Sequence, residues 1–130
     1  MIISSEQEMF ALGKKIIWHG STHILLYGEL GAGKTHLVKW LAEGMWLDPN
    51  KVKSPTFTYV NVYDEKFAHF DLYRLETYDD FVNKGLEDLM HQYDYVAIER
   101  PKREEMYVED RWTKVSLAKV SDNEREVEVG

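Results

Sequence analysis

The stretch "HILLYGELGAGKTHLVKWLAEGM", His23 to Met45, runs through three patterns in succession. Ile24-Leu25-Leu26-Tyr27 is a short continuous apolar run, the pattern of a strand buried on both faces. Gly28 to Thr35 then gathers three glycines, a lysine and a threonine into eight residues. Leu37, Val38, Leu41, Ala42 and Met45 follow at helical spacing, and Pro49 marks the end of that helix. A buried strand, a glycine-rich bend and an amphipathic helix in this order predict an α/β unit.

Outward from that unit the chain reads as one compact domain, residues 1–130. Hydrophobic residues make up 44% of it, enough for a real core. It contains no cysteine, which excludes disulfides, a thiol nucleophile and thiolate metal sites. The net charge of −7 makes a poor direct binder of DNA or RNA phosphates, because that binding needs clustered Lys and Arg. The apolar runs fall far short of the roughly 20 residues that span a bilayer, and "MIISSEQEMF" lacks the basic start of a signal peptide. The expected location is the cytosol, with no membrane partner.

Ser5 and Glu8 fit a capping box for a helix from about Ser5 to Trp18, with Met9, Leu12 and Ile16 on one face. "TFTYVNVY" and "KFAHFD" read as a hairpin turning at Asp64-Glu65. Tyr78 to Gln92 is helical with a break near Gly85. "YVAIE", Tyr95 to Glu99, is a second buried-strand run, and "WTKVSLAKV" with "EREVEV" forms a closing hairpin. The alternation of Tyr59, Tyr63, Phe67, Phe70 and Tyr73 fits hairpin strands packing on a core rather than a base-stacking platform. His19 and His23 are four residues apart, but Gly20, Ser21 and Thr22 argue against a helix joining them, and with no third ligand near they do not read as a metal site.

Gly28-Glu29-Leu30-Gly31-Ala32-Gly33-Lys34-Thr35 fits G-x-x-x-x-G-K-[ST] at every position. Glycines let backbone N–H groups wrap closely around anionic oxygens, and the helix that follows aims its positive dipole end at them. Lys34 is expected to reach the β- and γ-phosphates of a nucleotide and Thr35 to offer its hydroxyl to Mg²⁺. Glu99, at the end of "YVAIE", stands where an acid should lie near the metal or polarise the attacking water; facing solvent or pairing with Arg100 is the bland alternative. Asp71 closes "KFAHFD" on the same strand face as His69 and is the second acidic candidate. An ion pair with Arg74 is its bland alternative. "SPTFT", Ser54 to Thr58, is a proline-fixed loop with three hydroxyls that could sense the γ-phosphate or merely connect.

Taken together, "GELGAGKT", "SPTFT", "HFDLYRL" and "AIERP" resemble the TsaE (YjeE) family in order and spacing. These are small bacterial P-loop ATPases of tRNA threonylcarbamoyladenosine synthesis. The resemblance implies a P-loop NTPase α/β fold: a mainly parallel central sheet, helices on both faces and added antiparallel strands. It implies binding of ATP and Mg²⁺, and hydrolysis that is weak alone and switched on by a TsaD–TsaB complex. That complex, not this chain, would handle the tRNA. By position, Lys34 and Thr35 match the Walker A pair, Thr56 the switch-like threonine that touches nucleotide, Asp71 the aspartate near Mg²⁺ and Glu99 the Walker B acid. Lys34, Asp71 and Glu99 are thus the expected catalytic set, and Thr35, Asp71 and Glu99 the metal set. The base site would lie near the first helix. The family commonly has Trp after the Walker B acid and an acidic or amide residue after the proline. Arg100 and Lys102 stand there in this chain, and Arg100 could stabilise γ-phosphate charge.

A small-molecule P-loop kinase is the main alternative. It needs a lid with several arginines, and Arg74, Arg100, Arg103, Arg111 and Arg125 form no such cluster in the sequence. A GTPase fails on base recognition, because "NKGL" at Asn83 to Leu86 lacks the aspartate of N-K-x-D and no D-x-x-G occurs. A non-catalytic nucleotide-binding adaptor would need the glycine loop but not Glu99.

Overall fold

The computed structural model describes residues 1–29, 32–55, 58–72, 74–75, 77–101 and 112–130. In chain order the elements are β1 (Ile2–Ile3), α1 (Glu6–Trp18), β2 (His23–Tyr27), α2 (Lys34–Gly44), a 3₁₀ turn (Pro49–Lys51), β3 (Val60–Tyr63), β4 (Phe67–Asp71), α3 (Tyr78–Asn83), α4 (Leu86–Met90), β5 (Tyr95–Glu99), β6 (Thr113–Lys119) and β7 (Arg125–Val129). Among the described residues, seven strands form one sheet in the order β1-β7-β6-β2-β5-β4-β3. The central four, β6, β2, β5 and β4, run parallel. β3, β7 and β1 are added antiparallel at the two edges. The expected mixed α/β sheet is therefore present, and its parallel part lies where both faces are covered.

Period-2 alternation divides the core. Ile24 and Leu26 of β2, Ala97 of β5 and Phe67 of β4 face α1 and α2. Leu25, Phe70, Val96 and Ile98 face the other way, under Phe81 of α3 with Leu86 and Met90 of α4. Helices thus cover both faces. α3 and α4 have six and five residues, too short to persist by propensity. Burial holds them, at about 1.5–3 kcal/mol for each large apolar side chain removed from water. Gly85, at φ 74°, makes the break between them, at the expected place.

The helix starts follow local chemistry. The Ser5 hydroxyl accepts the Glu8 N–H at 3.1 Å, as the capping box requires. The end of α2 departs from expectation: it closes at Gly44 rather than at Pro49, which opens the 3₁₀ turn instead. Trp46 takes a left-handed conformation (φ 66°), with its N–H on the Glu43 carbonyl at 3.0 Å and the Leu47 N–H on Ala42 at 2.9 Å. That is a Schellman closure, which usually uses glycine and so left no signal here. The first hairpin strand also starts late, at Val60, because Tyr59 turns left-handed (φ 67°) and donates to the Pro55 carbonyl. Asp64 and Glu65 both have positive φ, the two-residue turn expected between β3 and β4. Tyr63, Phe67 and Phe70 are core residues and Tyr59 is partly buried against the core, as their alternation predicted; Tyr73 lies outside the described residues.

α1 crosses α2 closely at Gly13. A Cβ there would sit 2.5 Å from Trp40 Cβ and 2.7 Å from the Trp40 backbone carbon. Gly13→Ala should gain about 1 kcal/mol of helix propensity. Overpacking against the α2 backbone costs about 1–3 kcal/mol, so the net expectation is a loss. A lower denaturant midpoint with an unchanged slope checks it; a stabilised variant would contradict this packing.

Candidate functional site

The glycine bend leaves β2 at Gly28. Its φ is 149°, and a Cβ there would lie 2.6 Å from the Leu117 carbonyl oxygen of β6, so any other residue would push the bend off the sheet. Ala32 N–H bonds to the Glu29 carbonyl at 3.0 Å, closing the described part of the loop. Gly33, at φ 100°, is the N-cap of α2 and brings no side-chain cap. The positive end of α2 and its first N–H groups are thereby left to the cleft in front of them. Leu30 and Gly31 of the motif, and Thr56 of the serine-proline loop, lie outside the described residues.

Lys34 is buried, and its Nζ donates to the Gly28 and Glu29 carbonyls, the latter at 2.7 Å. Burial lowers its pKa, the Arg100 charge lowers it further, and Glu99, Asp71 and Glu29 pull the other way. Thr35 donates its hydroxyl to Glu99, 3.1 Å from each carboxylate oxygen. Glu99 is the last residue of β5, in register with Leu26 of β2 on one side and Asp71 of β4 on the other. The two carboxylates therefore share the carboxyl ends of adjacent parallel strands, the edge of an α/β sheet where ligands sit. Glu99 and Asp71 are both buried.

Both acids are held inside the fold. Glu99 does not face solvent: its side chain is held by Thr35 and by His69 Nε2. Arg100 goes instead to Asp71, with Nε on Oδ1 at 3.1 Å and Nη2 on Oδ2. A left-handed turn at Arg100 (φ 51°) follows the end of β5 beside Asp71. The pairing is an ion pair, as foreseen for Asp71, but Arg100 is a partner the sequence did not indicate. Arg100 and Lys34 also line one cleft with Gly33, Thr35, Ser54 and Glu99, of about 310 Å³. Two further side chains at the site escaped the sequence reading. Arg125, which opens β7, donates from Nε to the Ala32 carbonyl at 3.2 Å and lines the same cleft. His69 carried a signal, its two-residue offset from Asp71, but no sign of its partner. His23 bonds to the Thr22 hydroxyl and lies edge-on to Trp112.

Among the described residues, no three His, Asp or Glu side chains are grouped to hold a metal ion. Thr35, Asp71 and Glu99, the metal set expected from the sequence, bring oxygen-bearing side chains to this end of the sheet, with Asp71 held by Arg100. Among the described residues, no helix is long and apolar enough to cross a membrane.

A glycine bend between a parallel strand and a helix N-terminus, with its lysine and threonine beside a strand-end acid, defines a P-loop α/β nucleotide-binding protein. Residues 3–127 match the family described as "Threonylcarbamoyl adenosine biosynthesis protein TsaE". The chain belongs to the TsaE family, whose members take part in tRNA threonylcarbamoyladenosine biosynthesis. The tRNA threonylcarbamoyladenosine biosynthesis protein TsaE of Aquifex aeolicus is 42% identical over 94 residues, 66% of this chain and 71% of that one. The protein of the same name from Treponema pallidum is 32% identical over 117 residues, 88% of this chain and 85% of that one. The crystal structure of YdiB from Bacillus subtilis superposes with a TM-score of 0.68 at 23% identity, covering 98% of this chain and 80% of that one, a likeness of fold.

The lowered Lys34 pKa has a measurable sign. Between its value in the fold and the ordinary 10.5, the unfolded chain binds more protons than the native one. The nucleotide-free fold therefore gains stability as pH rises through that alkaline window. Phosphate charge beside Lys34 would restore its proton. Polyphosphate binding should then weaken as pH rises through the window, with proton uptake; calorimetry in two buffers of different ionisation enthalpy reads it, and proton release would contradict it.

Proposed function

We propose that this chain, acting as a single domain, binds Mg-ATP at Gly28–Thr35 and hydrolyses it as the ATPase of the threonylcarbamoyladenosine machinery. Its turnover is weak alone and raised by a TsaD–TsaB complex, which the hydrolysis resets or cycles. The tRNA is reached only through that complex, in the cytoplasm, and no DNA or membrane is engaged. The observation that carries the reading is the Thr35–Glu99 contact: a P-loop hydroxyl and a buried strand-end carboxylate already 3.1 Å apart beside an open cleft.

In this reading each residue has a distinct physical task. Gly28, Glu29, Leu30, Gly31, Ala32 and Gly33 supply backbone N–H groups to the phosphates, with the α2 dipole behind them. Lys34 exchanges its two loop carbonyls for phosphate oxygens and neutralises their charge. Thr35, Asp71 and Glu99 would hold Mg²⁺, which supplies charge neutralisation on the β- and γ-phosphates when bound. Glu99 also accepts a hydrogen bond from the attacking water and orients it. Thr56 contacts the γ-phosphate side. Arg100 shares Asp71 with that site, so it would have to loosen its ion pair for Asp71 to reach the metal, and could then turn toward phosphate charge. A second cleft of about 320 Å³, lined by Ile3, Glu6, Met9, His36 and Arg125, shares Gly33 with the first and suits the nucleoside.

Phosphate release measured with and without TsaD–TsaB tests the reading, and no stimulation by the pair would contradict it. Glu99→Gln should keep ATP affinity and lose most turnover; equal turnover would remove Glu99 from the mechanism. Lys34→Ala should weaken ATP binding by about 2–3 kcal/mol, the scale of lost charge-assisted hydrogen bonds, read by calorimetry.

A further inference from the structure

Among the described residues, four polar or charged side chains are buried: Lys34, His69, Asp71 and Glu99. The proposed reaction uses three of them and leaves His69 without a task. His69 lies in mid-β4, opposite Ala97 of β5 and Asn61 of β3, and is fully buried. Its ring stacks on Phe67. Nε2 meets Glu99 Oε2, and Nδ1 is 3.4 Å from the Tyr63 hydroxyl. That hydroxyl accepts the Lys53 N–H at 3.1 Å, and its single proton lies between the Lys53 carbonyl, 3.2 Å away, and His69 Nδ1. Lys53 precedes Ser54, which lines the phosphate cleft. A continuous polar row therefore runs Lys53, Tyr63, His69, Glu99, Thr35, and its Glu99–Thr35 end lines the cleft.

We propose that His69 is a positioning residue: it fixes the Glu99 carboxylate from behind, and Tyr63 fixes His69 against the backbone at Lys53. The proposal rests on the ATPase reading given above. In this role His69 Nε2 is the donor and the Glu99 carboxylate the acceptor of the contact. Thr35 and His69 are the described side chains that hold the Glu99 carboxylate. Thr35 holds the carboxylate from the first turn of α2, at the cleft. His69 holds it from the fully buried side, away from arriving nucleotide. It engages Oε2 and not Oε1, which makes the two oxygens of the acid inequivalent. Removing His69 should therefore loosen an acid that acts only when nucleotide is bound, while leaving the phosphate cradle intact.

The experiment measures ATP turnover with the activating complex present, and ADP affinity in excess EDTA, for the full chain and for His69→Ala, His69→Gln and Tyr63→Phe. A positioning role predicts a kcat lower by about tenfold or more in His69→Ala, with KM and metal-free ADP affinity within about threefold of the parent. His69→Gln, whose amide N–H can stand near the Nε2 position, should recover part of the loss, and Tyr63→Phe should lose about two- to fivefold in kcat. Nitrogen NMR of the imidazole in the parent should show His69 protonated at Nε2, with that signal moved in Glu99→Gln. The proposal is overturned by parent-like kcat in His69→Ala, by loss of ADP affinity in step with kcat and no rescue by Gln, or by a proton on Nδ1 alone. Should His69→Ala fail to fold, a parent-like kcat in Tyr63→Phe overturns it. A parent that binds ADP but never turns over ATP refutes the ATPase reading instead, and the NMR spectrum still decides the His69–Glu99 contact.

Discussion

Buried charge at one end of a parallel sheet must be compensated on the spot, and the rest of this structure is arranged around that requirement. Asp71 and Glu99 end adjacent strands in the same register row, both out of water. Two such carboxylates side by side would drive each other toward the neutral form unless cations or donors meet them. Arg100 meets Asp71 and His69 with Thr35 meets Glu99, while Lys34 lies buried beside them on loop carbonyls. Each pairing uses a different part of the fold. One comes from the turn after β5, one from mid-β4 and two from the first turn of α2.

The same arrangement explains why the cleft suits a polyanion although the chain is acidic overall. The net charge of −7 is a sum over the whole chain, while Lys34, Arg100 and Arg125 converge on one volume with the N-terminus of α2. Local field, not the sum of charges, governs what binds there. The nucleotide-free protein satisfies each of these groups internally. Binding would therefore begin with an exchange of partners rather than with waiting donors: loop carbonyls for phosphates at Lys34. Exchange of this kind keeps desolvation costs low on both sides of the equilibrium, because few buried groups go unpaired.

The scaffold holds these groups through close backbone approaches as much as through apolar burial. Gly28 lies against the Leu117 carbonyl, which ties the loop to β6. Gly13 lets α1 sit against α2, which sets the direction of the helix that carries Lys34 and Thr35. Arg125 ties the start of β7 to the loop at Ala32. The closing hairpin therefore supports the loop at two points, one through backbone contact and one through a side-chain hydrogen bond.

Local chemistry was legible from the amino-acid string alone. The glycine bend, the strand before it, the helix after it, the Ser5 cap, the Gly85 break and the Asp64-Glu65 turn depend on residues near one another in the chain, so spacing reveals them. Glu99 and Asp71 could be picked out because each acid ends a β-rich run. Pairing across the chain was not legible. Arg100 on Asp71 spans 29 positions, His69 on Glu99 spans 30, and Arg125 on Ala32 spans 93. No periodicity encodes such distances. They follow from strand order and register, which set β4 beside β5 and β6 beside β2, and from the rule that a buried charge takes whichever partner the fold brings within reach.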